Sequence, residues 1–509
     1  MPDFLLQAAT EVLSLSVLGL IVIGTLLGIV GGAIPGFTVT MAILVVFPFT
    51  FTIEPVAGVA LMTAVFVGGY SGGLISGVML GIPGTPSSIT TTYDGRPMAL
   101  NGEPGRALGI GFAASFVGTI ISVAILVGFG PLLARFSINF RPWEITALVV
   151  LALTLVASLS SGNLLKGLIA AVIGLLFTTV GYDSNSNVRF DFGFESLESG
   201  LAMLPILIGT FAFPQVFKGL ESGASKADLD GGGVQSNVQI PYRVILRETM
   251  SQKLNLLRSG VLGALIGALP GAGGTVANFV SYDQAKKASR YPEKFGTGIT
   301  SGIVASEASN SAVPGGAFIP TLALGIPGDL PMSLMLGVLI LHGMNPGPLL
   351  FQENPVLVGS IYLSMLVAAF VMLASNLILV RWSVRIALVP DAVLAPVVLI
   401  FCAVGSFALN NNLFDIWLLL GAGILGYLFD RCGVPLTPLI LGVVLGRTLE
   451  TQLFRGLELQ PNWMEFFTRP ISGTLFAFAA GCIVVSLVQD GRSRRRLEKM
   501  KDKGKGNAT

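Results

Sequence analysis

The feature that most constrains this chain is a series of long segments without a single Asp, Glu, Lys or Arg. Residues 12–53 and 55–93 are the longest, and 107–134, 259–282 and 330–352 are further examples. A helix of about 20 apolar residues spans the hydrocarbon core of a bilayer, where backbone groups must find their partners within the protein. These segments predict an all-α polytopic membrane protein with about 10–12 transmembrane helices.

Composition excludes several other classes. Only 11% of the 509 residues are charged, and 52% are hydrophobic, whereas soluble chains carry roughly 25% charged residues. These charged residues are too few to cover a water-facing surface of this size. A soluble enzyme, a nucleic-acid binder and a disordered scaffold are therefore excluded. The single histidine, His342, leaves little room for histidine-based metal or acid–base chemistry.

The basic residues predict an orientation, because Lys and Arg concentrate in cytoplasmic loops. Segment 218–258 carries six Lys and Arg, and the tail after Gly491 carries eight against two acids. Both are predicted to be cytoplasmic. Residues 1–11 contain neither Lys nor Arg, so the N-terminus is predicted to lie on the periplasmic side.

Glycines and prolines form a duplicated pattern. Residues 28–36 read G-x-x-x-G-A-I-P-G and residues 263–271 read G-x-x-x-G-A-L-P-G, while Gly-Ile-Pro-Gly occurs at 81–84 and at 325–328. Two ordered pairs of motifs at similar spacing predict a duplicated unit. The predicted organisation is a first transmembrane repeat (1–217), a cytoplasmic linker loop (218–249), a second repeat (250–470), a terminal transmembrane helix (471–490) and a basic cytoplasmic tail (491–509).

Hydrophobic helices that are broken at matching positions of two repeats are typical of secondary transporters. Proline removes a backbone donor and glycine loosens the helix, so N–H and C=O groups become free at membrane depth. Such groups are tolerated where they line a cavity or bind a ligand. Helix N-termini favour anions, and opposing carbonyl ends can coordinate Na⁺. The alternative is that the breaks are kinks that only allow helices to pack.

Hydroxyl and amide side chains cluster beside these breaks. Residues 85–92 hold six hydroxyls in eight positions, and residues 306–311 combine three serines with Glu307 and Asn310. Such groups can bind a carboxylate or replace water around Na⁺, although Ser and Thr also join helices. Thr85, Ser87, Ser88 and Asn310 are predicted to line one cavity near the bilayer midplane. The full predicted substrate site is Pro83, Gly84, Thr85, Ser87, Ser88, Asn310, Pro327, Gly328 and Asp329, and the candidate Na⁺ ligands are Gly36, Thr38, Gly271, Gly273, Thr275, Glu307 and Ser309.

Two acidic residues stand among apolar segments. Glu307 lies between charge-free runs of 12 and 21 residues, and Asp329 between runs of 21 and 23. An ionisable group inside a membrane is costly and is commonly functional. Glu307 is therefore a candidate for ion or proton coupling, with a structural pair as the alternative. Asp329 is expected near a ligand, with a helix mouth in water as its alternative.

The charges beside the first break of each repeat predict that the repeats are inverted. Segment 259–282, which contains Pro270, has basic residues on both sides, so both of its ends should be cytoplasmic. Segment 12–53, which contains Pro35, has only acidic flanks, so both of its ends should be external. Each segment must then turn back inside the membrane, giving re-entrant Pro-Gly hairpins that enter from opposite faces.

Linked motifs lie at 81–88, 94–99, 102–108, 269–273, 307–310, 325–328 and 342–349. Together they resemble the large membrane subunit of the tripartite tricarboxylate transporter family. The resemblance spans about residues 24–446 and implies a bacterial inner-membrane importer of tricarboxylates or related carboxylates. It implies no covalent cofactor, coupling to an ion gradient (most often Na⁺, with H⁺ as the alternative), a small membrane subunit of about four helices and a periplasmic substrate-binding protein.

The chain departs from the family pattern at three positions. Phe37 begins Phe-Thr-Val where the family often has Leu-Gly-Pro, Ser311 stands where a second Asn is common, and Asp329 replaces a small residue. These departures bear on ion stoichiometry and on the choice of substrate.

Other functions compete with this interpretation. A stand-alone secondary carboxylate transporter would share every feature except the partners. An intramembrane enzyme would have to rely on Ser71, His342 and scattered acids, and a non-transporting scaffold would not need duplicated broken helices. The sequence contains no G-x-x-x-x-G-K-[ST] motif, so transport driven by an ion gradient is favoured over ATP hydrolysis by this chain.

Overall fold

A computed structural model describes residues 2–159, 164–183, 187–221, 239–386 and 391–506. Within these ranges the chain forms 22 α-helices, three short 3-10 turns and one pair of two-residue strands. The strands are antiparallel, with Gly181 opposite Arg189. The prediction of an all-α polytopic membrane protein is confirmed.

The described residues before the polar loop form ten α-helices. Two of the 3-10 turns, Phe47–Thr52 and Pro86–Ser88, lie among them, and the strands are β1 (Gly181–Tyr182) and β2 (Val188–Arg189). The helices are α1 (Pro2–Val12), α2 (Leu15–Ala33), α3 (Val39–Val46), α4 (Pro55–Leu80), α5 (Ile89–Leu100), α6 (Pro104–Ser137), α7 (Pro142–Leu159), α8 (Leu164–Phe177), α9 (Glu195–Glu198) and α10 (Met203–Glu221).

The described residues after that loop form the remaining twelve, with a third 3-10 turn at Pro292–Lys294. They are α11 (Tyr242–Ser251), α12 (Lys253–Gly267), α13 (Gly273–Ala288), α14 (Thr300–Leu324), α15 (Leu330–Leu341), α16 (Leu350–Glu353), α17 (Pro355–Ile386), α18 (Asp391–Asn410), α19 (Leu413–Arg431), α20 (Leu436–Leu459), α21 (Glu465–Thr468) and α22 (Pro470–Gly506).

Seven helices of the described chain are long and apolar enough to cross a membrane: α2, α4, α6, α7, α17, α19 and α22. Five shorter apolar helices of 10–17 residues accompany them. The number of full-length spans is below the predicted 10–12, because the breaks divide charge-free segments into shorter pieces. Segment 12–53 is divided into α2 and α3, and segment 330–352 yields α15 of only 12 residues. Helix α22 also continues through the segment that was predicted as a tail.

The chain divides into two compact units whose limits differ from those of the predicted repeats. The first unit contains Met1–Ile138 and Leu204–Tyr427, and the second contains Asn139–Met203 and Leu428–Thr509. The first unit holds both pairs of Pro-Gly breaks. In it, α2 and α17 pack on α4, while α6 and α12 pack on α14.

In the second unit, α20 packs against α7 and α8, and α22 packs against α7. Two polar contacts reinforce this packing. The Arg469 guanidinium lies 3.6 Å from the centroid of the Trp143 ring, a stabilising cation–π geometry. Arg189 on β2 forms an ion pair of 2.5 Å with Glu450 on α20.

Helices α4 and α14 form the centre of the first unit. Every residue from 57 to 80 of α4 and from 302 to 323 of α14 is buried. Both helices end at a glycine in the left-handed conformation, Gly81 (φ 77°) and Gly325 (φ 70°), each followed by Ile-Pro-Gly. Glycine adopts this conformation without a Cβ clash and the proline cannot continue the helix, so the duplicated tetrapeptide is a helix-stop signal.

The inverted topology of the repeats remains a prediction, and cysteine labelling can test it. In a chain whose three native cysteines are replaced, Glu54→Cys should react in intact cells with an impermeant thiol reagent that reaches the periplasm. Lys287→Cys should be protected, because the basic residues around it predict a cytoplasmic position. Both side chains are exposed on the protein, so both cysteines should react after detergent solubilisation. The same outcome at both positions in intact cells would contradict the inverted arrangement.

Candidate functional site

The polar loop divides the first unit into a first half before the loop and a second half after it. In each half, the two helix breaks touch each other. Gly84 lies so close to the end of α2 that a Cβ atom on it would be 2.0 Å from the Gly32 carbonyl oxygen. In the second half, a Cβ on Gly328 would be 2.5 Å from the Gly267 carbonyl oxygen. The Gly271 N–H also donates to the Gly328 carbonyl, at 3.0 Å. Glycines at matching positions therefore allow both pairs of breaks to meet.

The turn after the first Gly-Ile-Pro-Gly is a compact group of buried hydroxyls. Thr85 is the N-cap of the 3-10 turn Pro86–Ser88, where the Thr85 and Ser88 side chains form a reciprocal capping box. The Ser88 hydroxyl also donates to the Gly73 carbonyl at 3.1 Å, and the Thr85 and Ser87 hydroxyl oxygens are 3.1 Å apart. This network fixes the turn against α4.

Hydrogen bonds from the second half converge on this turn and on the nearby Tyr70. The Asn310 amide on α14 donates to the Tyr70 carbonyl at 2.9 Å, and the Asn278 amide on α13 donates to the Ser87 carbonyl. The Tyr70 hydroxyl donates to Asp329 Oδ2 at 2.5 Å. These bonds form two groups of buried residues that approach each other beside Gly274, and together we call them the central polar cluster. One group consists of Tyr70, Asn310 and Asp329, and the other of Thr85, Ser87, Ser88 and Asn278.

Several oxygens in and beside the cluster have no hydrogen-bond partner within the described part of the chain. They are Asn278 Oδ1, Asn310 Oδ1 and the hydroxyls of Ser309 and Ser311, all buried. Buried polar atoms are normally paired, and amide oxygens can only accept hydrogen bonds or coordinate cations. Neutral oxygens of this kind are ligands that suit Na⁺, so the chemistry of these atoms is compatible with a cation, and a Na⁺ site here remains a prediction.

Asp329 enters the cluster as the N-cap of α15. Its Oδ1 accepts the Met332 N–H at 3.0 Å, and its Oδ2 accepts the Tyr70 hydroxyl. Thr85 occupies the corresponding N-cap position after the first Gly-Ile-Pro-Gly. Both carboxylate oxygens of Asp329 are therefore committed to bonds within the chain.

Glu307 is buried between three helices. Its Oε1 accepts the Thr91 hydroxyl of α5 at 2.5 Å, and its Oε2 accepts the Ser115 hydroxyl of α6 at 2.9 Å. The carboxylate thus links α5 and α6, which belong to the first half, to α14. This geometry accords with the structural alternative for Glu307, and neutral hydroxyl donors would also tolerate a protonated carboxyl.

The other predicted site residues lie at the breaks themselves. Gly36 is exposed with φ 87°, and Thr38 caps α3 while its hydroxyl donates to Gln215 at 2.7 Å. Pro83 is half-buried, whereas Pro327 is buried. Gly271, Gly273 and Thr275 are half-buried and lie within three residues of Gly274 in the sequence. A Cβ on Gly274 would be 2.9 Å from the Tyr70 ring.

Tyr70 and Asn278 are absent from the predicted site although they hold the cluster together. Tyr70 lies between Gly68-Gly69 and Gly72-Gly73, a glycine-rich stretch that sequence alone associates with close helix packing. Asn278 follows the break at Pro270 by two helical turns. Polar residues inside charge-free segments were the available signal, but they gave no indication of the partners. Whether the cluster lines a substrate cavity remains a prediction.

Asp94 begins the motif at residues 94–99, which lies outside the central polar cluster. Its Oδ1 accepts the backbone N–H groups of Gly296, Gly298 and Ile299 at 2.8–3.0 Å, and its Oδ2 accepts the Tyr282 hydroxyl at 2.8 Å. The buried carboxylate therefore fixes the connection between α13 and α14 to α5.

Comparisons with known proteins identify the family of this chain. Residues 18–441 match the family described as the tripartite tricarboxylate transporter TctA family. The chain is 34% identical to an uncharacterised 52.8 kDa protein in the TAR-I ttuC' 3' region of Agrobacterium vitis, over 93% of each chain. It is 37% identical to an uncharacterised protein in the TAR-II ttuC' 3' region of the same organism, over 46% of this chain and 97% of that protein. No solved structure matches it. The chain is a multi-pass membrane protein that belongs to the tripartite tricarboxylate transporter TctA family.

Proposed function

We propose that this chain is the large transmembrane subunit of an ion-gradient-driven, binding-protein-dependent importer of tricarboxylates or related carboxylates. Membership of the family gives the transporter class and the role of a subunit among partners. The observation that carries the proposal is the central polar cluster, which lies where broken helices of both halves meet inside otherwise apolar helices. Its partners would be a small four-helix membrane subunit and a periplasmic substrate-binding protein.

The chemistry of the cluster supports a carboxylate together with a cation. The Thr85 and Ser87 hydroxyls can donate to a substrate carboxylate, while the Asp329 carboxylate already occupies the N-terminus of α15. An anionic substrate beside Asp329 would place like charges together in a low-dielectric region, which is unfavourable. A cation held by the Asn278 and Asn310 amide oxygens would offset that repulsion. Na⁺ is the proposed coupling ion, and H⁺ is the alternative.

The enzyme alternative lacks a supporting observation. Ser71, its candidate nucleophile, accepts a hydrogen bond from the Asn376 amide at 2.9 Å. An amide cannot remove a proton from a serine hydroxyl, whereas an activated nucleophile needs an adjacent base. The arrangement is that of an interhelical bond between α4 and α17.

Uptake of a labelled carboxylate into proteoliposomes tests the proposal. With the binding protein and the small subunit present, uptake should require an inward Na⁺ or H⁺ gradient and should be unaffected by ATP. Omission of the binding protein should abolish uptake, and liposomes without this chain provide the control. Uptake that persists after both gradients are collapsed, and that responds to ATP, would contradict the proposal.

A further inference from the structure

Helix α11, at the end of the polar loop, has one face fixed to α6. Ile245 and Thr249 are buried. The Ile245 side chain lies over Gly109 of α6, where an added Cβ would be 2.1 Å from Ile245 Cδ1. Arg106 of α6 donates two hydrogen bonds to Glu248, from Nη2 to Oε1 at 2.6 Å and from Nε to Oε2 at 3.1 Å. The rotation of α11 about its own axis is thereby set.

The face next to this buried one is apolar and exposed. Tyr242, Leu246 and Met250 follow one another at intervals of four residues, so they form a row along the helix. Their exposed fractions are 60%, 63% and 44%. The chain then enters α12, where Leu254 and Leu257 are 84% and 55% exposed. The exposed apolar row of α11 is thus followed along the chain by exposed leucines of α12.

A second row, of arginines, lies beside the apolar one. Arg243 and Arg247 each follow a member of the apolar row by one residue, and both are exposed. Around the helix the order is therefore a face bound to protein, then an apolar face, then a basic edge. Amphipathic helices that lie in the membrane interface have an apolar face toward the acyl chains and Lys or Arg at the headgroups.

We propose that α11 is an interfacial helix that binds anionic phospholipids of the bilayer in which this protein resides. Tyr242, Leu246 and Met250 insert into the boundary between headgroups and acyl chains, where tyrosine is favoured. Arg243 and Arg247 contact the lipid phosphates. The surrounding segment is predicted to be cytoplasmic, and the anionic lipids of that leaflet attract basic residues close to the membrane.

The position of α11 gives the lipid contact a consequence for the transporter core. Helix α11 packs on α6, and α6 packs along the buried α14 that carries Glu307 and Asn310. Lipid bound to α11 therefore stabilises the position of α6 through the Arg106–Glu248 and Ile245–Gly109 contacts. Lipid binding at α11 requires neither the proposed substrate nor the coupling ion.

Site-directed spin labelling tests the placement of the apolar row. Single cysteines at Leu246 and, as a water-exposed control, at Gln284 of α13 are labelled in a chain without native cysteines and reconstituted into liposomes. The nitroxide at 246 should be more accessible to O₂ than to a water-soluble nickel chelate, and the nitroxide at 284 should show the reverse. A nitroxide at 246 that is as accessible to the chelate as that at 284 would overturn the proposal. Protection of 246 from both reagents would also overturn it, because a protein would then cover the face.

Lipid titration tests the basic edge. Binding of short-chain phosphatidylglycerol to the purified full chain should weaken by about fivefold for each arginine removed in Arg243→Gln and Arg247→Gln. Arg243→Lys with Arg247→Lys should largely preserve binding, and phosphatidylcholine should not discriminate among the variants. A matched control, Lys286→Gln with Arg290→Gln, removes two exposed cations outside α11. Equal losses in both double variants, or none in either, would overturn the assignment.

Discussion

Glu307→Ala is expected to abolish most carboxylate uptake and to lower the free energy of unfolding by about 2–5 kcal/mol. The change leaves the Thr91 and Ser115 hydroxyls buried without the acceptor that now joins them to α14. An unpaired buried hydroxyl retains its desolvation cost, and the lost carboxylate also leaves a cavity. Thermal inactivation of the purified protein and initial uptake rates measure the two effects.

Glu307→Gln separates a structural role from a coupling role. The glutamine has nearly the same shape, and a hydroxyl can rotate to accept from its amide nitrogen, so stability should be close to that of the wild type. If Glu307 carries the coupling proton, uptake by this variant should lose its dependence on the proton gradient. Unchanged transport would make Glu307 structural. Glu353→Ala, at an exposed helix end, is the control, and a wild-type Tm for Glu307→Ala would contradict the packing argument.

Gly32→Ala is expected to lower stability and uptake nearly as much as Glu307→Ala, although it adds only one methyl group. That methyl would lie 2.1 Å from the Gly69 carbonyl oxygen of α4, and the carbonyl of Gly32 itself touches Gly84. Both neighbours are backbone, so they cannot move aside as a flexible side chain can. Overpacking of a well-packed core costs about 1–3 kcal/mol or more, and here it would also separate the two breaks.

Gly19→Ala is the matched control for Gly32→Ala, since both positions lie on α2. Nothing lies within 4 Å of a Cβ at Gly19, and alanine is favoured over glycine in a helix by about 1 kcal/mol. The folded yield and the Tm of Gly19→Ala should equal or exceed those of the wild type, while Gly32→Ala should lower both and reduce uptake. Equal behaviour of the two variants would mean that α2 and α4 do not approach as closely as described.

Local sequence was sufficient for the class of protein and for the positions of the breaks. The length of an apolar segment determines whether it can span a bilayer. A left-handed glycine with a proline two residues later ends a helix whatever its surroundings. Gly81 and Gly325 were therefore recognisable as equivalent. The family resemblance followed from the same motifs, and it agrees with the match over residues 18–441.

Tertiary structure decided the hydrogen-bond partners within the central polar cluster, although five of its seven residues belong to the predicted substrate site. Asn310 reaches Tyr70 across 240 residues, and Asp329 reaches the same tyrosine across 259. Such pairs depend on which faces of α4, α13 and α14 meet, and hydropathy does not reveal this because all of these helices are buried or half-buried. Asp94 shows the same limit, since its partners lie about 200 residues away. Sequence specified which segments enter the membrane and where they break, because those properties are local, whereas helix packing decided which polar groups meet.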